Sequence, residues 1–258
     1  MMLSNTNELL ILGCGHSESD TLFNNNALVT NDKGKLLIDC GYTIKPALQA
    51  QGLTLKDIDA VFITHVHADH MFGLERLANE GRYKYRKKAR LMLHHELYDE
   101  LWHQCLKGVL GKNGEGENEL SDYFDLVLLH NEEFELFGNQ YQLHRVSHTP
   151  GKVCFGVLIN QSVFYSGDTV AVPELLMQLN PELIFHDVTL TEYNPVHASV
   201  HSLIRLYPEA LRKKTYLMSY EDHWPKYQPM VDQHFAGFAR QGQRVQLSKK
   251  SQTDAAQC

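Results

Sequence analysis

The segment FITHVHADHMFGL, residues 62–74, carries His65, His67, Asp69 and His70 within six positions. Imidazole and carboxylate are the side chains that ligate first-row metal ions. A His-x-His pair just past a strand end can aim both imidazoles at one point, as a metal held by neutral imidazoles requires. Asp69 and His70 follow where the chain turns into a helix, and they can face a second point close by. The economical reading is four ligands for two adjacent ions. The competing reading is a polar loop whose histidines bond only to backbone. It is the weaker one, because even a chain with 15 histidines rarely crowds three into six positions.

The elements that must hold this cluster are legible around it. IDAVFITH is an uninterrupted β-branched run and reads as a buried strand that ends at the histidines. Upstream, ELLILGCG reads as a strand closed by a glycine turn, NNALVTND and KLLIDCG as two strands joined by the tight NDKGK turn, and IKPALQAQG as a short helix. Downstream come a strand, ARLMLHH, and a helix, ELYDELWHQCLKG, stopped by Gly108. In the second half NQYQLHRVSH, KVCFGVLIN and SVFYSGD read as three successive strands. PELLMQL is a short helix, PELIFHDV a strand, SVHSLIRL a helix, KTYLMSY a strand, and residues 227–240 a last helix. Both halves run strands, helix, strand, helix, an order that two sheets with helices on their outer faces satisfy. No linker or short-period repeat interrupts it, so residues 1–247 are read as one domain. Residues 111–122 are Gly-rich and acidic and read as a flexible loop. Residues 248–258 have no apolar period and read as a disordered tail. The basic run RYKYRKKAR, residues 82–90, reads as a solvated connection in preference to a nucleic-acid surface.

Composition narrows the partners. With 43% hydrophobic and 21% charged residues, the 258-residue chain can bury an ordinary globular core. A formal charge of −7 argues against long polyanions and leaves room for a small anion held at a local positive site. The five cysteines are scattered and never paired as CxxC, which fits a reduced compartment. The N-terminal segment lacks the pattern of a signal peptide, and no run approaches the ~20 apolar residues of a membrane span. A cytoplasmic protein without a membrane partner is expected.

THVHADH also resembles the HxHxDH signature of the metallo-β-lactamase fold, an αββα sandwich of two mixed sheets with helices on the outer faces. Further motifs of that family follow in order, over residues 8–245. His148, in VSHTPGKVCFGVLI, follows a strand as the family's third motif does. Asp168, in FYSGDTV, matches the aspartate that bridges two metals. LGCGHSES, LLIDCG, FHDVTL and VHASV resemble segments of the RNase Z-like branch, in which His197 matches a histidine that contacts the scissile phosphate. The resemblance implies that His65, His67 and His148 hold one ion, that Asp69 and His70 hold another, and that Asp168 bridges them. One or two Zn2+ per chain would suit these ligands, with Mn2+ or Fe2+ tolerated. His197 and Asp69 are then the catalytic groups of an in-line displacement at phosphorus. No side-chain nucleophile is needed, so Ser147 and Ser166 receive no such role.

RNase Z proper carries a long arm between the third-motif histidine and the bridging aspartate. Here His148 and Asp168 are 20 positions apart, and two strands use nearly all of that length. LWHQCLKGVL, VHAS and TYLMSYED are most similar to the anti-Pycsar type of cyclic-nucleotide phosphodiesterase. That similarity implies hydrolysis of 3′,5′-cyclic nucleotides, with cyclic CMP and cyclic UMP first and cyclic AMP and cyclic GMP as further candidates, to 5′-monophosphates. It also implies a homodimer and a role against cyclic-nucleotide antiphage signalling. Two other readings stay open: a hydrolase of RNA, lactone or thioester bonds on the same fold, and a degenerate protein that binds a nucleotide without cutting it. The second draws on one departure. The family ends its last core strand with a histidine that completes the second metal site, and Ser219 stands there. His223, four residues on, is a candidate replacement; against that stands its reading as a loop residue beside Trp224 and Pro225. His201, four past His197, is expected on the same helix face, as a surface residue.

Overall fold

The computed structural model describes residues 6–248. In chain order the first half contains β1 (Glu8–Gly13), β2 (Asn26–Asn31), β3 (Gly34–Ile38), β4 (Ala60–Phe62), β5 (Arg90–His94), a small hairpin of β6 (Lys112–Asn113) and β7 (Gly116–Glu117), and β8 (Asp125–Leu129). The second half contains β9 (Glu133–Leu136), β10 (Asn139–Arg145), β11 (Phe155–Ile159), β12 (Val163–Tyr165), β13 (Leu183–Asp187), β14 (Thr215–Met218), β15 (Gly237–Phe238) and β16 (Arg244–Gln246). One seven-stranded sheet has the order β16-β1-β2-β3-β4-β5-β8, the other β15-β14-β13-β12-β11-β10-β9. Each is mixed in the same way. β16, β1, β2 and β3 pair antiparallel and then β3, β4, β5 and β8 parallel. β9 to β12 pair antiparallel and β12 to β15 parallel.

The continuous apolar runs follow from this layering. Leu9, Leu10, Ile11 and Leu12 in β1 and all of β4, β11 and β12 are buried, so these strands are covered on both faces and do not alternate. The buried side chains of the two sheets and of the helices that cover them form one hydrophobic cluster, with Phe62, Trp102, Phe155, Phe164 and Phe185 among its largest members. Among the described residues no helix is long and apolar enough to cross a membrane, and Cys14, Cys40, Cys105 and Cys154 are free thiols.

Several expected elements differ. Residues 111–122 are not a structureless loop: they hold the β6–β7 hairpin and begin the helix Leu120–Tyr123. Buried Leu120 and the adjacent Tyr123 anchor them, while Arg82 reaches across to Glu115 and Asn118. The basic run is likewise tied down, since Lys84 pairs with Glu80 and Lys87 with Asp59. The helix expected near residues 96–108 is a succession of a 3-10 turn, a π-helix (Asp99–Leu106) and an α-turn (Lys107–Leu110). The last helix covers only Gln228–His234, and the chain after it is captured as edge strand β15 beside β14. β8, β9 and β16 lie in segments that gave no strand signal. β8 and β9 are half exposed, and β16 is three residues long. A disordered tail over 249–258 lies outside the described residues.

Candidate metal centre

The site forms where the parallel strands of both sheets end, the crevice that open α/β sheets offer to ligands. Beyond β3 stands Asp39, beyond β4 the segment Thr64–His70, beyond β12 Asp168, at the end of β13 Asp187, and beyond β14 Ser219. His148 lies between β10 and β11. Two glycines permit the approach. A Cβ on Gly41 would stand 1.9 Å from the carbonyl oxygen of Asp69, so the turn after β3 can touch the short helix Ala68–Met71 only as glycine. Gly167 precedes Asp168 with φ +59°, and a Cβ there would meet the Phe155 carbonyl oxygen at 2.9 Å.

Hydrogen bonds set the tautomers of the imidazoles. The Thr64 hydroxyl donates to the Asp39 carboxylate at 2.8 Å, so it accepts from His65 Nδ1 at 3.0 Å. His148 Nδ1 donates to the Val196 carbonyl at 2.8 Å, and His70 Nδ1 to Asp39 Oδ2 at 2.7 Å. Each of these three rings therefore keeps its Nε2 lone pair for the centre, as metal-ligating histidines do. His67 Nδ1 lies 3.2 Å from His65 Nε2 and 3.1 Å from His148 Nε2. Three ligand atoms about 2.0–2.1 Å from a tetrahedral ion would stand close to that separation. Burial, reinforced by the neighbouring imidazoles and by Lys152, pushes His67 down to about 4. Burial likewise holds His65 and His148 below the usual histidine value. Neutral imidazoles are the form that binds metal.

The second set is Asp69, His70 and Asp168. His70 Nε2 faces Asp69 Oδ2 at 3.3 Å and Asp168 Oδ1 at 3.2 Å without a hydrogen bond to either, and Asp168 Oδ1 is also unpartnered and buried. Buried polar atoms are rarely left so. Burial opposes protonation of His70, but Asp168, Asp69 and Asp39 together raise it well above its ordinary value. The carboxylates thus call for positive charge at a point that three unshared donor atoms surround, and a divalent cation fits it. The other Asp168 oxygen, Oδ2, stands 3.9 Å from His65 Nε2 and 4.0 Å from His148 Nε2. One carboxylate therefore presents one oxygen to each set.

A cavity of about 380 Å³ opens over the cluster, lined among others by His16, His67, Asp69, His148, Asp168 and His197. The His197 ring lies 4.7 Å from that of His148 and 5.5 Å from that of His16. Its Nδ1 meets Asp187 Oδ2 at 2.7 Å, an oxygen that also accepts the Thr169 N–H at 2.9 Å. Burial opposes protonation of His197, but the Asp187 carboxylate lifts it to about 9. His197 is thus held protonated at neutral pH, with Nδ1–H on Asp187.

The structure gathers His65, His67, Asp69, His70, His148 and Asp168 at one place, with His197 on the cavity wall. It does not bring His223 there. That side chain is exposed, its ring 5.7 Å from Tyr227, and it belongs to none of the groups of converging ligand atoms among the described residues. Ser219 is buried at φ +64° with its hydroxyl unpartnered. His197 precedes the helix Val200–Leu206, which Ser199 caps, so His197 and His201 do not share a helix face. Ser166 is occupied structurally: its hydroxyl donates to the Gly167 carbonyl and accepts the Asp187 N–H. Asp39, Asp187 and His16 escaped sequence reasoning. Their only signal was an acid or a histidine just beyond an apolar strand, in LLIDCG, LIFHDV and LGCGH.

Comparison with known proteins gives the family and the fold. A family model described as Anti-Pycsar protein Apyc1 matches residues 7–245. The anti-Pycsar protein Apyc1 of Paenibacillus harenae is 40% identical over 223 residues, which span 84% of this chain and 91% of the relative. A solved diphosphatase from the PhnP family is similar with a TM-score of 0.75 at 20% identity, over 93% of this chain and 98% of that one. The metallo-β-lactamase fold protein YhfI from Bacillus subtilis is similar with a TM-score of 0.75 at 15% identity, over 94% and 100%. The fold is the metallo-β-lactamase fold, and the chain belongs to the anti-Pycsar protein Apyc1 family.

Proposed function

We propose that this protein is a metal-dependent phosphodiesterase that opens 3′,5′-cyclic mononucleotides to 5′-monophosphates, and that it thereby counters the signalling its relatives are named against. The observation that carries the reading is Asp168, whose two oxygens face two separate ligand sets beneath a cavity walled by His197. His65, His67 and His148 would hold one ion, and Asp69, His70 and Asp168 the other, with zinc the best match to the donors. When bound, such ions supply Lewis-acid chemistry, neutralising phosphate oxygens and making water nucleophilic at neutral pH. The chain's own groups do the rest. Asp69 accepts a proton from the attacking water. His197, oriented by Asp187, holds a proton at Nε2 for the leaving ribose oxygen. Asp39 and Thr64 keep His65 and His70 in the tautomers that leave Nε2 free.

The test is turnover. Purified protein supplied with Zn2+ or Mn2+ is expected to convert cyclic CMP, cyclic UMP or cyclic AMP to the monophosphate. His67→Ala should lose most of the metal and the activity. His197→Ala should keep its metal while turnover falls by ~10²–10⁴, the usual worth of general-acid help. Parallel loss of metal would make His197 a ligand and overturn its assigned role. Tight nucleotide binding without product would favour the second reading, a sequestering protein, which draws on the serine at position 219.

A further inference from the structure

We propose that a second cavity beside the catalytic one binds the nucleoside of the substrate; this rests on the phosphodiesterase reading above. In the ring opening, the water oxygen bonds to phosphorus and the P–O3′ bond breaks. The proton from His197 Nε2 goes to O3′, and the proton lost by water passes to Asp69. No electron acceptor or donor is involved. O3′ stays on the ribose, so the group that protonates it must touch the sugar. The nucleoside then extends from His197 away from the ligand cluster.

A cavity of about 500 Å³ shares Asn194 and His197 with the first and is lined by none of the six proposed metal ligands. Its size is that of a small-molecule site. The catalytic cavity is walled by imidazoles and carboxylates and offers no tyrosine, phenylalanine or tryptophan to a base. The adjoining one supplies what is missing. Tyr193 on its lip is 80% exposed, and among the described residues its ring packs on no other aromatic ring. The side chains of Glu192, His201 and Arg205, which also line it, make no hydrogen bond or ion pair among the described residues. An exposed aromatic face beside uncommitted donors and acceptors is how proteins hold an unstacked base: the ring stacks and the polar groups meet the base edge. The side chains retain these functions unused by the protein's own fold, next to the group that handles the leaving sugar.

The experiment uses the full chain with its metal and compares Tyr193→Ala and Arg205→Ala with wild type. The probes are cyclic CMP as substrate and 5′-CMP and inorganic phosphate as competitive ligands. Removing a stacking partner is expected to raise KM for cyclic CMP and weaken 5′-CMP about tenfold. Metal content and inhibition by inorganic phosphate, which fits in the catalytic cavity alone, should not change. If both variants bind 5′-CMP and process cyclic CMP like wild type, the nucleoside lies elsewhere. Equal weakening of 5′-CMP and inorganic phosphate would also overturn the proposal, since the damage would then be at the phosphate. A wild type that turns over no cyclic nucleotide removes the underlying reading, and the groove assignment falls with it.

Discussion

Asp187 shows how much a single buried carboxylate arranges. It lies at the end of β13, fully inside the protein, and joins His197 to the Thr169 backbone. Burial first, and then the nearby charge of Asp168, raises its carboxyl to about 7. The imidazolium of His197 is what lets it remain charged there. Asp187→Asn keeps the shape and removes that charge. The expected result is a fall in turnover of ~10²-fold or more with the metal content of wild type, read by metal analysis beside steady-state kinetics. His223→Ala in the same assays should change neither quantity, because the side chain is exposed and belongs to none of the groups of converging ligand atoms. A loss of metal in His223→Ala would mean that the loop folds back over the centre.

At the scale of elements, one strand end braces both lips of the catalytic cavity. Glu221, just past β14, accepts the Leu190 N–H at 2.8 Å and the Thr189 hydroxyl at 2.5 Å, anchoring the segment that leads to Asn194 and His197. Asp222 accepts the N–H groups of Asp20 and Thr21 and the hydroxyls of Ser19 and Thr21, anchoring the segment that carries His16. Partial burial opposes ionisation of Asp222, but these donors hold its carboxyl down at about 2. A depressed carboxyl stabilises the fold fully above its ordinary value near ~4, and that contribution is lost as pH falls through the folded value. The lip is therefore braced throughout the neutral and mildly acid range. Asp222→Ala should speed amide hydrogen exchange at residues 19–22 at pH 7 and raise KM several-fold, with metal retained. Exchange rates identical to wild type would show that the lip is held by other contacts.

At the scale of the whole molecule, the centre lies between the two sheets, and its charges would couple a bound metal to stability. Asp39, Asp69 and Asp168 surround His70 in the buried region where β3, β4 and β12 end. Without a cation, the His70 imidazolium carries most of the balance, with His197 acting on Asp168 from the cavity wall. Anything that binds the native state and not the unfolded chain stabilises it by mass action, by ~2.7 kcal/mol at 100 times Kd. Chelation should accordingly lower Tm in a calorimetric scan, and restored Zn2+ should return it. A Tm that ignores chelation would place the ions outside this coupling. Lys152 ties the same centre to the outer layer: it donates to the Val66 carbonyl within the histidine segment and pairs with Glu100 of the π-helix.

The sequence by itself determined which histidines and aspartates would be brought together, the class of fold and the order of most strands. Those signals are local: a dense run of imidazoles and carboxylate at a strand end, and short, β-branched apolar runs bounded by turn residues, which read as doubly covered strands. Edge strands β8, β9 and β16 escaped because half-exposed or very short segments carry little periodicity. The segment 111–122 was misread because composition counts its glycines and acids, whereas Leu120, Tyr123 and the reach of Arg82 decide its structure. Only the tertiary structure could assign Asp39 to His70 and Thr64, Asp187 to His197, and His16 to the cavity wall, and only it could leave His223 outside. Each of these depends on which strand ends the two sheets bring together, and residues 31 or 81 positions apart in the chain, such as Asp39 and His70 or His67 and His148, meet only when the sheets pack.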